Sequence, residues 1–146
     1  MAVLVDTNVL IFAVQQKHPW HGESIRAIEK LLSTGEVVCV FLQNLAEFWN
    51  VCTRPANKNG LGLDVLETES RLRRLDSFLK VLSDTDAVYP EWRKLVVKHE
   101  VKGVQVHDAR IAAGMRVHGV TQILTYNPQD FERYDRITVI HPEDVK

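Results

Sequence analysis

The sequence predicts a three-layer α/β/α fold, with a central parallel sheet of four to five strands flanked by helices. Two observations predict it. Short apolar runs such as Ala2–Val5 and Val37–Phe41 are continuous rather than alternating, as in strands buried on both faces. Stretches with apolar residues at helical spacing separate these runs, and strands alternating with helices build parallel sheets. No internal repeat, low-complexity stretch or linker divides the 146 residues, so 1–146 read as one domain.

Ala2–Val5 is the first strand and stops at Asp6. Asp6, Thr7 and Asn8 supply N-cap side chains for a short apolar helix over 9–14. After a loop with His18 and Pro19, Ile25, Ile28, Leu31 and Leu32 recur at helical spacing, which predicts a helix over His21–Ser33 with Gly35 near its C-cap. Val37–Phe41 is the second strand. Gln43 and Asn44 open a helix carrying Leu45, Ala46, Phe48, Trp49 and Cys52, which stops at Arg54-Pro55 because the position before proline disfavours helix. A polar, glycine-bearing loop covers 57–62. Asp64 caps a long amphipathic helix with Leu66, Leu72, Leu75, Leu79 and Leu82 on its stripe, read as core or interface packing. Residues 87–89 form a brief strand before Pro90, which suits the first position of a helix running to about Val101 and stopped by Lys102-Gly103. A connector over 104–106 leads to a helix beginning at His107-Asp108, rich in Ala109, Ala112, Ala113 and Gly114, and ended by His118-Gly119. A strand over 122–125, a turn over 127–131 and a strand over 137–140 close the chain.

On this layout Asp6, Glu47, Asp108 and Asp130 fall where strand ends meet the segments that follow. Each has an ordinary explanation: Asp6 and Asp108 as N-caps, Glu47 on a solvated face, Asp130 in an Asn-Pro turn. Together those explanations need unrelated caps and turns to fall by chance on one edge of the sheet. Carboxylates gathered there repel one another unless a divalent cation lies between them. An all-oxygen set suits Mg²⁺ or Mn²⁺, usually working on phosphate. Thr7 or Asn8 could do the capping and leave Asp6 free, either Asn127 or Asp130 could reach the same edge, and Thr125 could support a ligand.

Composition narrows the partners. A net charge of −1 provides no global basic field for nucleic acid, so any such partner needs local cations and a metal. Candidates are Lys17, Arg54, Lys58, Lys102 and Arg110, with His18 and His107 beside them and Trp20 as a stacking platform. Arg71, Arg73 and Arg74 read as a solvated helix face, and Trp49 and Trp92 as core. Cys39 and Cys52 form no CxxC pair and read as buried free thiols in a reducing compartment. With no signal peptide visible and no apolar run long enough to span a bilayer, the expectation is a cytoplasmic protein without a membrane partner.

Val-Leu-Val-Asp-Thr-Asn-Val-Leu over 3–10, Ala-Glu-Phe over 46–48, Val-His-Asp-Ala-Arg-Ile-Ala-Ala over 106–113 and Leu-Thr-Tyr-Asn-Pro-Gln-Asp-Phe over 124–131 resemble a PIN domain. They occur in the family's order over essentially the whole chain, and the nearest look is to VapC-type ribonuclease toxins of bacterial toxin–antitoxin pairs. The resemblance implies a Mg²⁺- or Mn²⁺-dependent ribonuclease that leaves 5′-phosphate and 3′-hydroxyl ends. It carries over Asp6, Glu47 and Asp108 as the principal acids and Thr7 as the hydroxyl residue after the first. At the usually acidic fourth position this sequence offers Asn127 first and Asp130 second. The implied partners are an RNA substrate, a small antitoxin and a second copy of the chain.

Two other readings stand beside this one. A PIN-like module could grip RNA or protein without cutting. A phosphatase using an aspartyl nucleophile expects a second acid two residues after the first, where this chain has Asn8. A phosphate-gripping GxxxxGK[ST] loop is absent.

Overall fold

Five parallel strands run in the order β3-β2-β1-β4-β5, where β1 is Ala2–Val5, β2 Val37–Phe41, β3 Lys80–Leu82, β4 Gln122–Leu124 and β5 Thr138–Ile140. Six α-helices accompany them: α1 (Thr7–Ala13), α2 (His21–Ser33), α3 (Leu42–Thr53), α4 (Val65–Asp76), α5 (Val88–Lys98) and α6 (Gln105–His118). The computed structural model describes residues 1–146. No helix is long and apolar enough to cross a membrane.

Strand periodicity divides the core into two layers. Val3, Val5, Val38, Val40 and Leu124 pack with Leu10, Ile28, Phe48 and Leu75 of α1 to α4. Leu4, Cys39, Phe41 and Ile123 pack on the other face with Leu95, Ile111 and Met115 of α5 and α6. Both faces are covered, which is why the strands read as unbroken apolar runs. The small residues of α6 bring it close to the sheet: a Cβ at Gly114 would lie 2.6 Å from Phe41 Cζ.

Three expectations are corrected. The leucine stripe does not belong to one helix. α4 ends at Asp76, and Lys80–Leu82 forms the edge strand β3 beside β2, pairing Cys39 with Lys80 and Phe41 with Leu82. An exposed edge strand of three residues carries no apolar run, and the spacing of Leu75, Leu79 and Leu82 happened to continue the helical period. Leu66 is 81% exposed and belongs to no core. Residues 87–89 are not a strand: Val88 opens α5, so Pro90 is its third residue, still in the turn where a missing N–H is harmless. The helix also stops at Lys98, short of Val101, with Glu100 in the left-handed region at φ 48°. Finally, α6 begins at Gln105, which absorbs most of the expected connector. Asp108 therefore sits in the first turn of a helix that follows another helix, rather than capping one that follows a strand.

The sheet changes direction at its centre. The chain leaves β1 through α1 and α2 to reach β2 on one side, while β4 lies on β1's other side. Ligands of open α/β sheets bind outside the carboxyl ends of the strands at such a switch point.

Candidate active site

Asp6 stands at that point. Its backbone N–H donates to Leu124 O at 2.9 Å, tying it to the end of β4. It occupies the N-cap position of α1, but its Oδ1 accepts from Thr7 N–H at 2.8 Å, the nearest amide of the turn. Its Oδ2 accepts from the buried Thr125 hydroxyl at 2.8 Å and from Asn8 Nδ2 at 3.3 Å. Asn8 also accepts from Tyr126 N–H at 3.1 Å, and the Asn127 N–H donates to Thr125 Oγ1 at 3.0 Å. The two segments following β1 and β4 are thereby stitched together around one carboxylate.

Glu47 lies in the second turn of α3. Its Oε1 accepts from Gln43 Nε2 at 3.1 Å, and its Oε2 accepts from the Thr7 hydroxyl at 3.0 Å. Gln43 Nε2 also donates to the carbonyl of His107 at 2.9 Å, joining α3 to the residue before Asp108. Below this, the fully buried Asn44 accepts from Phe41 N–H at 2.9 Å and holds the start of α3.

Asp108 and Asp130 complete the wall. No protein donor reaches either carboxylate; Asp130 is placed by the short 3₁₀ turn Pro128–Asp130. Asp6, Glu47, Asp108 and Asp130 line one open cavity of about 450 Å³, together with Thr7, Asn8 and Asn127. Arg54 is the cation on that wall. Burial raises the Asp6 carboxyl to about 6, with Glu47 and Asp130 adding to the rise and the Thr125 and Thr7 hydrogen bonds opposing it. Burial, then Asp130, Asp6 and Glu47, raise Asp108 to about 7 against the pull of Arg133. The acids are therefore close enough to repel one another.

As the side chains stand, no three carboxylate, imidazole or thiolate groups are gathered tightly enough to share an ion. The donor chemistry nevertheless fits a hard divalent cation: every candidate ligand is oxygen, and four acids face one guanidinium on the wall, that of Arg54. Asp108 and Asp130 carry no hydrogen bonds that would have to break for their side chains to turn inward.

Of the other sequence candidates, Lys17 lies outside this cavity in a neighbouring cleft. Lys58, Lys102 and Arg110 do not line it, and Arg110 pairs with Asp84 at 2.6 Å on the surface. Trp20 is 47% exposed and stacks on Tyr126 at 4.9 Å. Sequence reasoning missed Asn50 and Phe12 on the cavity wall and the bridging role of Gln43. Gln43 stands four residues before Glu47, where helical side chains meet, so that signal was present.

A family model for the PIN domain matches residues 3–137, a span that contains all four acids. The chain belongs to the PIN-domain family. Ribonuclease VapC48 of Mycobacterium tuberculosis is 23% identical to this PIN domain over 147 aligned residues, covering 97% of this chain and 98% of that protein. Among solved structures, VapBC-1 from nontypeable Haemophilus influenzae superposes with a TM-score of 0.72 at 15% identity, covering 98% and 99% of the two chains. VapC20 of Mycobacterium tuberculosis, a sarcin-ricin loop cleaving toxin, superposes with a TM-score of 0.61 at 21% identity, covering 83% and 86%. At these identities the superpositions speak to the PIN fold.

Proposed function

We propose that this PIN domain is a divalent-metal-dependent ribonuclease and the toxin of a toxin–antitoxin pair. The observation that carries the reading is the convergence of Asp6, Glu47, Asp108 and Asp130 on one cavity at the sheet's switch point, with Asp6 raised by burial and the charges of Glu47 and Asp130, and Asp108 by burial and the charges of Asp130, Asp6 and Glu47. The likeness to a VapC ribonuclease and to VapBC structures supports the same reading.

Asp6 and Glu47, already oriented by Thr7, Thr125, Asn8 and Gln43, would hold Mg²⁺ or Mn²⁺ from one side, and Asp108 and Asp130 from the other. A cation held there would supply an activated water and offset charge building on the phosphate. Arg54 takes a non-bridging phosphate oxygen, and the Asn50 and Asn127 amides offer hydrogen bonds to the sugar–phosphate backbone. Asp130, rather than Asn127, fills the fourth acidic position. The Cys39 and Cys52 thiols are buried, free and pushed up to about 11, which suits a reducing cytoplasm. An antitoxin and a second copy are the protein partners of this reading; Tyr89, Val97 and Val104 are left exposed on the α5–α6 layer.

The test is hydrolysis of single-stranded RNA by the wild type, Asp6→Asn and Asp108→Asn, each with Mg²⁺, Mn²⁺ or EDTA. Loss of either carboxylate should cost at least ~10²-fold in rate, the scale of a lost charge stabiliser. Cleavage that survives both substitutions and EDTA defeats the reading. One observation favours a non-catalytic RNA-binding module instead, namely that the acids do not close a three-ligand shell. RNA binding without any Mn²⁺-dependent cleavage would support that alternative.

A further inference from the structure

A second cavity of about 650 Å³ lies beside the first, between the α1–α2 loop and α4. Its charged lining is Lys17, Arg71 and Arg74 against the single carboxylate of Glu67, in a chain with a net charge of −1. Arg71 is engaged structurally. Its Nε donates to Glu67 Oε1 at 2.9 Å and its Nη1 to Val14 O at 2.6 Å, bracing the loop against the helix. Lys17 and Arg74 are exposed and belong to no ion pair, whereas Arg73 points to Glu69 at 3.5 Å. The three arginines of α4 are therefore not one solvated face: two of them wall a cleft.

The cleft adjoins the acid cavity. Phe12 on the acid cavity's wall meets His18 on the cleft's wall, with ring centroids 4.3 Å apart. On the other flank, Leu61 of the cleft donates its N–H at 2.9 Å to the carbonyl of Val51 of the acid cavity. The walls of the two hollows therefore touch at two places.

We propose that this cleft is the track for the single-stranded RNA flanking the scissile phosphodiester, with its phosphates paired to Lys17 and Arg74. The occupant rests on the ribonuclease reading. The physical need is plain: a wall of carboxylates repels a polyanion, and Arg54 on the wall and Arg133 near Asp108 offset four acids only in part. Unpaired cations on a neighbouring concave surface focus positive potential within a Debye length and hold the strand in reach of the cut. An acidic protein segment would answer the same charge, but the place of the cleft beside the acid cavity favours the strand whose phosphodiester is cut there.

The test measures fluorescence anisotropy of a single-stranded RNA of about twelve nucleotides across a salt series. EDTA is present, so the strand is bound but not cut. The proteins are the wild type, a Lys17→Gln/Arg74→Gln double variant and the charge-keeping Lys17→Arg/Arg74→Lys. Losing two phosphate contacts should weaken binding about 10-fold and flatten the log–log salt slope by about 1.4, at roughly 0.7 per contact for a single strand. The charge-keeping variant should stay near the wild type. In Mn²⁺, the kcat/KM advantage of the long strand over one of about three nucleotides should shrink in the glutamine variant. An unchanged affinity and slope overturn the proposal. So does a charge-keeping variant as weak as the glutamine one, or a glutamine variant that loses a polyglutamate probe but not RNA. If the wild type binds RNA but cuts neither strand, the ribonuclease reading fails separately while the binding series still decides the track.

Discussion

The two halves of the acid cavity are built on different terms. Asp6 and Glu47 are fixed by donors from α1, from α3 and from the segment after β4. Asp108 and Asp130 hang from a first turn and a 3₁₀ turn with no donor to either carboxylate. One half is a preorganised cradle, and the other is charge held in place by the fold and pushed on by its neighbours.

The largest expected effect lies in the cradle. Asp6→Asn should cut RNA hydrolysis at least ~10²-fold while leaving a cooperative thermal transition; an active Asp6→Asn would show that the cradle does not orient the reaction. Next comes Thr125→Val, which removes the hydroxyl at 2.8 Å from Asp6 without touching substrate. It should slow hydrolysis about 10-fold, at the low end for a group that orients a ligand. If its rate equals the wild type's, Asp6 is not held by that bond.

Asp108→Asn should break the comparison in the opposite sense, by stabilising the protein. Without divalent cation at pH 7.5, removing a half-buried charge that others repel should add about 1 kcal/mol, allowing for solvent screening, or about 3 °C in Tm. A Tm that falls instead would mean that an unseen donor serves Asp108. The pH trend follows from the same charges. Asp6 and Asp108 are raised from 3.8 to about 6 and about 7, so the folded state favours their neutral forms. Their contribution is fully present below about 3.8 and is lost as pH rises through 6 and 7. In EDTA, Tm should decline by a few degrees between pH 5 and 8, less in Asp108→Asn and less again in millimolar Mg²⁺. Differential scanning calorimetry across that series checks both statements.

The cradle was legible in the sequence for a physical reason. An apolar run broken by Asp-Thr-Asn leaves few options at the end of a buried strand, and Glu47 points back to the same edge because helical side chains tilt N-terminally. Asp108 was chosen on a partly wrong ground: it follows no strand end, yet the small residues beyond it did pack α6 onto Phe41. The edge strand β3 was hidden because three residues, exposed Lys80 and Val81 and half-buried Leu82, carry too little pattern against a helical run of leucines. The division of Arg71, Arg73 and Arg74 was hidden as well, since a cleft between a loop and a helix depends on tertiary placement that helical spacing does not contain.

The most direct test of the central claim, that Asp6, Glu47, Asp108 and Asp130 act together on a divalent cation, is calorimetric titration of the purified protein with Mn²⁺. The wild type should bind with heat that is lost in Asp6→Asn/Asp108→Asn, the affinity falling at least ~10²-fold, as removal of two charged ligands from one site requires. Equal Mn²⁺ affinity in the two proteins would contradict the account.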